Sequence, residues 1–87
     1  MKPIVLEELS SPGCHICKTF EEFWHGVENQ FPNVQYKNIS VITPLGTELA
    51  SRHMILASPG IIINGELFST GGFDQEKFIN KIKELSN

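Results

Sequence analysis

The sequence predicts a mixed α/β domain, a four-stranded sheet covered by helices in the order βαβαββα. Three observations carry this. Ile4 to Leu9 is a short, mostly apolar run of strand length, broken by Ser10-Ser11-Pro12-Gly13. From Cys14 onward the apolar residues recur at steps of three and four, as on one face of a helix. Near the other end, "GIIINGELF" sets apolar runs on both sides of Asn64-Gly65. Asn-Gly readily takes the positive φ angles of a two-residue hairpin turn.

Each element can be read in chain order. Residues 4–9 form the first strand. The first helix places Cys17, Phe20, Trp24, Val27 and Phe31 on one stripe, with Lys18, Glu21, Glu22 and Glu28 off it. Pro32 stops that helix, because the residue before a proline is pushed out of the α region. "VQYKNISV" alternates loosely and reads as the second strand. Pro44 and Gly46 punctuate the next segment, and Leu45 to His53 reads as a short helix. The Asn-Gly hairpin ends at Gly71-Gly72, and Asp74 is a good N-cap for a last helix striped by Phe78, Ile82 and Leu85. Strands joined through helices are expected to be parallel with right-handed crossovers, and the hairpin adds an antiparallel pair.

Bulk properties narrow the function. Eighty-seven residues are too few for two independent cores, so residues 1–87 are read as a single domain. The net charge of −3, with 7 basic against 10 acidic residues and no run of like charge, leaves no electrostatic footprint for nucleic acid or an anionic membrane. No apolar run approaches the about 20 residues needed to span a bilayer. "KPIVLEEL" begins as a strand rather than as a secretory signal. The expectation is a cytoplasmic monomer with no nucleic-acid or membrane partner. In that compartment a permanent disulfide is disfavoured, and a C-x-x-C pair is catalytic or metal-binding more often than structural.

The chain's only two cysteines are Cys14 and Cys17, just after Pro12-Gly13. They can be a redox dithiol, half of a metal site or two small core residues. Placing Cys14 at the start of the first helix favours the first reading. Unpaired backbone N–H groups and the positive end of the helix dipole stabilise an anion there, and the thiolate is the reactive form. Cys17, one turn later, opens the apolar stripe and is expected to be less exposed. One sulfur can then attack a substrate disulfide while the other resolves the mixed disulfide.

Neighbouring groups can modulate the pair. His15, if protonated, would add positive charge beside Cys14; otherwise it is an exposed residue shaping the partner surface. Glu7 and Glu8 end the strand that feeds the site and face opposite ways, so one of them can lie under Cys17 as a proton acceptor. Glu8 is the candidate carried forward, although the ordinary arrangement has both carboxylates reaching solvent. Zinc in a structural site wants four protein ligands, and His25 and His53 stand at no recognisable ligand spacing from the cysteines. No metal site is expected. Two thiolates alone could still hold Cu(I).

These residues resemble the thioredoxin superfamily, and most of all its small glutaredoxin-like members. The resemblance covers nearly the whole chain and rests on "SSPGCHIC" after the first strand, "ASPGIIINGELF", and "GGFD" before the last helix. It implies a thioredoxin-like fold with Cys14 as nucleophile and Cys17 as resolving thiol. It also matches Pro59 to the family's cis-proline, leaving the backbone of Ser58 free to pair with an extended substrate, and Gly71 and Gly72 to the glycines near the bound partner. The sequence departs from the family in four places. His-Ile stands between the cysteines, and Ser11 stands where many glutaredoxins carry a glutathione-binding lysine. The hairpin is slightly longer, and Gln75 replaces a second acid after Asp74.

The expected function is thiol–disulfide oxidoreduction on a protein disulfide substrate docked along Ser58-Pro59. No tightly bound cofactor is expected, and electrons would come from an external thiol or a thioredoxin-reductase-type donor. The rivals are a glutathione-dependent glutaredoxin and a carrier of Cu(I) or a shared iron–sulfur cluster on the same thiols.

Overall fold

The computed structural model describes all 87 residues. Its elements are β1 (Ile4–Ser10), α1 (His15–Val27), a 3-10 turn (Glu28–Gln30), β2 (Val34–Ser40), α2 (Pro44–Arg52), β3 (Gly60–Ile63), β4 (Glu66–Thr70) and α3 (Gln75–Ser86). The order βαβαββα is the one the sequence predicts. The four strands form one mixed sheet in the order β2-β1-β3-β4.

Side chains alternate across β1, and that alternation builds two cores. Ile4 and Leu6 point to the face covered by α1 and α3, where they pack with Phe20, Trp24, Phe78 and Ile82. Leu9 points the other way and meets Leu49 of α2, Ile55 and Ile62. The run Ile61-Ile62-Ile63 is buried throughout because β3 is central and covered on both faces. Removing a large apolar side chain such as these from water stabilises the fold by roughly 1.5–3 kcal/mol.

The hairpin forms as predicted, with Asn64 at φ 51° and Gly65 at φ 82°. Asn64 also anchors the hairpin to β1, its N–H donating to the Val5 carbonyl at 2.8 Å and its Oδ1 accepting from the Val5 N–H at 2.8 Å. At α3, Asp74 is the N-cap and its carboxylate accepts from the Lys77 N–H at 2.9 Å.

Three local expectations are corrected. The first α-helix ends at Val27 rather than running to Phe31; the Glu28 N–H closes on the Trp24 carbonyl and the chain tightens into the 3-10 turn. Phe31 still reaches the core, stacked on Trp24 with centroids 6.4 Å apart. The second helix starts at Pro44, not Leu45. Thr43 caps it, accepting from the Gly46 N–H at 3.0 Å, and proline at the first position forfeits no helical hydrogen bond. Gly46 permits this close entry, since a Cβ there would stand 1.9 Å from the Ser40 carbonyl oxygen.

The third correction concerns direction. β1 and β2 are parallel, from Ile4 beside Val34 to Ser10 beside Ser40. β3, although it also comes after a helix, runs antiparallel to β1 on its opposite side. Gly46 of α2 packs on the Ser40 carbonyl and Leu49 on Leu9, so α2 stays at the end of the sheet where β1 and β2 stop. The chain therefore re-enters the sheet where it left, pairing Gly60 with Leu9 near the end of β1.

Candidate active site

The end of β1 delivers the chain to a tight turn. Gly13, at φ 74°, takes the left-handed conformation that lets the chain reverse into α1. Cys14 is the N-cap of α1, with extended backbone (φ −78°, ψ 107°), and its Sγ accepts the Cys17 N–H at 3.1 Å. The sulfur thus satisfies one of the unpaired donors of the first turn. Cys14 and Cys17 are joined in a disulfide, their Cα atoms 5.3 Å apart. Cys17 is 3% exposed while Cys14 is half-buried, so the two sulfurs are unequal in access.

Two further loops meet this turn. The Ser58–Pro59 peptide bond is cis. The hydroxyls of Ser11 and Ser58 share a hydrogen bond of 2.6 Å, tying the proline loop to the residues just before Cys14. The Gly71 N–H donates to the Pro59 carbonyl at 3.0 Å, and Gly71 has φ 73°. Gly72 comes next, half-buried, with open space where a Cβ would stand. The structure therefore brings Ser58, Pro59 and Gly71 to the dithiol turn through two hydrogen bonds. His15 is exposed and lines a cavity of about 580 Å³ beside Cys14 and Cys17.

Glu8 is the largest departure from ordinary expectation. It does not reach solvent: it is 0% exposed, on the sheet face that α1 covers, whereas Glu7 is only half-buried. The Tyr36 hydroxyl donates to Glu8 Oε1 at 2.5 Å, and Oε2 is buried without a hydrogen-bond partner. Burial raises the Glu8 carboxyl from 4.5 to about 8; Glu21 adds to the rise, and the Tyr36 hydrogen bond opposes it. The Tyr36 phenol is itself pushed up, by burial first and then by the hydrogen bond to Glu8 and its charge.

Glu21, Asn38 and Ser10 complete a polar seam, and sequence reasoning did not single them out. Asn38 Nδ2 donates to Glu21 Oε2 at 3.2 Å, and the Ser10 hydroxyl donates to Asn38 Oδ1 at 2.6 Å. The signal for them was register. In the parallel pair Glu8 stands beside Asn38 and Ser10 beside Ser40, so the even-numbered residues of both strands share one face. Glu21 lies four residues after Cys17, one turn along the same helix face. Of the histidines, only His15 lines the cavity with the cysteines. His25 pairs with Glu28 and stands edge-on to Tyr36, and no three His, Cys, Asp or Glu side chains gather as metal ligands would.

Comparison with known proteins agrees with this geometry. A family model described as Thioredoxin domain matches residues 5–84. Among solved structures, the mitochondrial thioredoxin 3 of Saccharomyces cerevisiae in its oxidized form superposes with a TM-score of 0.76 at 17% identity, over 98% of this chain and 81% of that one. A thioredoxin from Thermus thermophilus gives 0.71 at 21% identity, over 97% and 74%. Fasciola hepatica thioredoxin gives 0.73 at 15%, over 94% and 80%. At these identities the likeness to solved structures is one of fold. No curated protein matches the chain.

Proposed function

The chain belongs to the thioredoxin domain family, and on that premise we propose that it reduces disulfides of protein substrates, with Cys14 attacking and Cys17 resolving. A thioredoxin fold carrying a C-x-x-C disulfide is that of a thiol–disulfide oxidoreductase. The observation that carries the finer reading is the Cys14 sulfur at the N-cap of α1, hydrogen-bonded to the Cys17 N–H. A thiolate in that position receives a backbone donor and the positive end of the helix dipole. Cys17 is buried and has no such support.

In the reduced protein, the Cys14 thiolate attacks one sulfur of a substrate disulfide. A bond from Cys14 Sγ to that sulfur forms, the substrate S–S bond breaks, and the other substrate sulfur leaves and takes a proton. Cys17 then gives its proton to the Glu8 carboxylate and attacks Cys14 Sγ. The mixed disulfide breaks, the second substrate sulfur leaves as a thiolate and takes a proton from solvent, and two electrons have passed from the dithiol to the substrate. An external dithiol or reductase returns the Cys14–Cys17 disulfide to the thiols, and protonated Glu8 supplies the proton to the departing Cys17 sulfur.

Substrate docking is assigned to the loops hydrogen-bonded to the dithiol turn. An extended substrate segment would pair with the backbone at Ser58, against Pro59 and the Gly71-Gly72 turn. Beside Ser58 runs an apolar groove lined by Val41, Ile55 and Ala57, with Leu56 98% exposed at its edge. A surface of that kind suits a polypeptide better than a small hydrophilic thiol.

The test is a pair of serine variants. Cys14→Ser should abolish reduction of a protein disulfide such as insulin. Cys17→Ser should keep the attack and accumulate a covalent mixed disulfide visible by non-reducing mass spectrometry. A carrier of metal predicts equal loss from both variants, and that outcome would overturn the reading.

A further inference from the structure

Glu8 has a buried oxygen with nothing to bond to, and its neighbour explains why. Glu8 Oε2 lacks a hydrogen-bond partner, and Asn38, which stands beside Glu8 in the β1–β2 register, holds the Glu21 carboxylate on that same face. Two carboxylates are both acceptors and cannot pair. One proton changes this, because a protonated Glu8 can donate to Glu21 and the orphaned oxygen is satisfied. Glu21 is half-buried, lines the cavity with Cys14 and Cys17, and is held from the other side by the Asn38 amide. Asn38 is fixed in turn by Ser10.

We infer that Glu21 is a positioning residue for the dithiol step: braced by Asn38, it holds one proton on Glu8 and opens that proton's route to the cavity at the cysteines. The inference rests on the function proposed above, in which Glu8 exchanges a proton with Cys17. No atom is gained or lost in this exchange. When Cys17 leaves Cys14 as a thiolate, the proton moves from Glu8 to Cys17; when Cys17 attacks, it returns to Glu8 and to its hydrogen bond with Glu21. Only the excess or missing proton of the overall reaction passes through Glu21 to water in the cavity.

Other ionisable groups near Glu8 are few. From α1 comes Glu21, while Lys18 lines the cavity with the cysteines and His25 is held by Glu28, edge-on to Tyr36. β2 contributes Tyr36. The residue beside Glu8 on β3 is Ile61, and the buried residues of α3 are Phe78 and Ile82. Glu21 and Tyr36 are thus the two side chains whose removal should move Glu8, and in opposite directions, since Glu21 raises its carboxyl and the Tyr36 hydrogen bond lowers it.

The experiment tracks the glutamate side-chain carboxyl carbons by 13C NMR in the disulfide form, with Glu8 assigned by its absence in Glu8→Gln. In parallel, the pH profile of mixed-disulfide resolution is measured by stopped flow. Glu21→Ala should lower the Glu8 midpoint by roughly one pH unit, Glu21→Gln by less, and Tyr36→Phe should raise it. The resolution profile should shift with the midpoint in each variant. A Glu8 midpoint indifferent to Glu21, or a midpoint that moves while the rate profile stays in place, would overturn the inference. Failure of the functional reading looks different: no Cys14-dependent mixed disulfide would form in the unmodified protein, whatever Glu8 does in the NMR titration.

Discussion

Replacing Glu8 by Gln should stabilise the protein in alkali and leave it almost unchanged in acid. The amide keeps both contacts, since its oxygen can accept from Tyr36 and its NH2 can donate to Glu21, but it never ionises. In the native protein the Glu8 carboxyl titrates at about 8 instead of 4.5. Below the unfolded value both states hold the proton and Glu8 costs nothing. Between the two values the unfolded chain releases its proton while the folded chain keeps it, so stability falls as pH rises. Above the folded value the loss is complete. At about 1.36 kcal/mol per pH unit, the full interval corresponds to ~5 kcal/mol. Relaxation around the ionised group reduces what is observed, and about 2–5 kcal/mol is expected between pH 4 and pH 9. Urea denaturation of the disulfide forms of both proteins across that range measures it, with the difference between them cancelling most other titrations. A difference curve that is flat, or in which Glu8→Gln loses ground as pH rises, would refute the argument. The same variant should resolve mixed disulfides slowly, so greater stability and lower activity should come from one substitution.

Further outcomes are expected elsewhere in the molecule. Gly46→Ala should cost about 1–3 kcal/mol in the same denaturation assay, because its Cβ would meet the Ser40 backbone rather than a yielding side chain. Ser11→Ala removes the Ser11–Ser58 hydrogen bond and should lose about 1 kcal/mol of stability; turnover of a protein disulfide should fall more than that of a small aromatic disulfide. Glutathione should be a poor reductant beside a dithiol donor in a coupled assay, since Ser11 carries no charge for a carboxylate and its hydroxyl is already engaged by Ser58. Matching rates with the two donors would restore the glutaredoxin reading.

Much of the site was legible because its chemistry is local. Cys14 at a helix start, Cys17 one turn in, the Asn64-Gly65 turn and the Asp74 cap each depend on a few neighbouring residues, and each stands as the sequence reading has it. What was not legible is what requires distant partners. A glutamate at a strand end ordinarily reaches water, and the alternation of Ile4 and Leu6 that puts Glu8 on the core face does not say how far along the strand the cover over that face extends. Its burial depends on Tyr36 and Asn38, 28 and 30 positions away, and on the reach of Glu21 from α1. The direction of β3 failed for a similar reason. The rule for helix-linked strands assumes that the helix carries the chain back along the sheet, whereas α2 stays at the end where β2 stops, with Gly46 against the Ser40 backbone and Leu49 against Leu9.

Register explains why the seam of Ser10, Asn38 and Glu21 lines the same cavity as the two cysteines. A parallel pair sets Glu8 beside Asn38 and, two residues earlier, Leu6 beside Tyr36. With side chains alternating, the face that carries Leu6 into the core must also carry Glu8, Tyr36 and Asn38. A slip by one residue would free Glu8 from burial, but only by turning Ile4 and Leu6 out of the core, where both are almost wholly buried. Burying two large aliphatic side chains contributes roughly 3–6 kcal/mol, against about 3 kcal/mol at pH 7 for a Glu8 that keeps its proton while the unfolded chain releases its own. The apolar core therefore dictates where the acid sits. The stretch that feeds the chain into the Cys14 turn is the end of that same strand, so burial of Ile4 and Leu6 sets the proton-holding group at the base of the helix that carries Cys17. Core packing and dithiol chemistry are properties of one seven-residue strand.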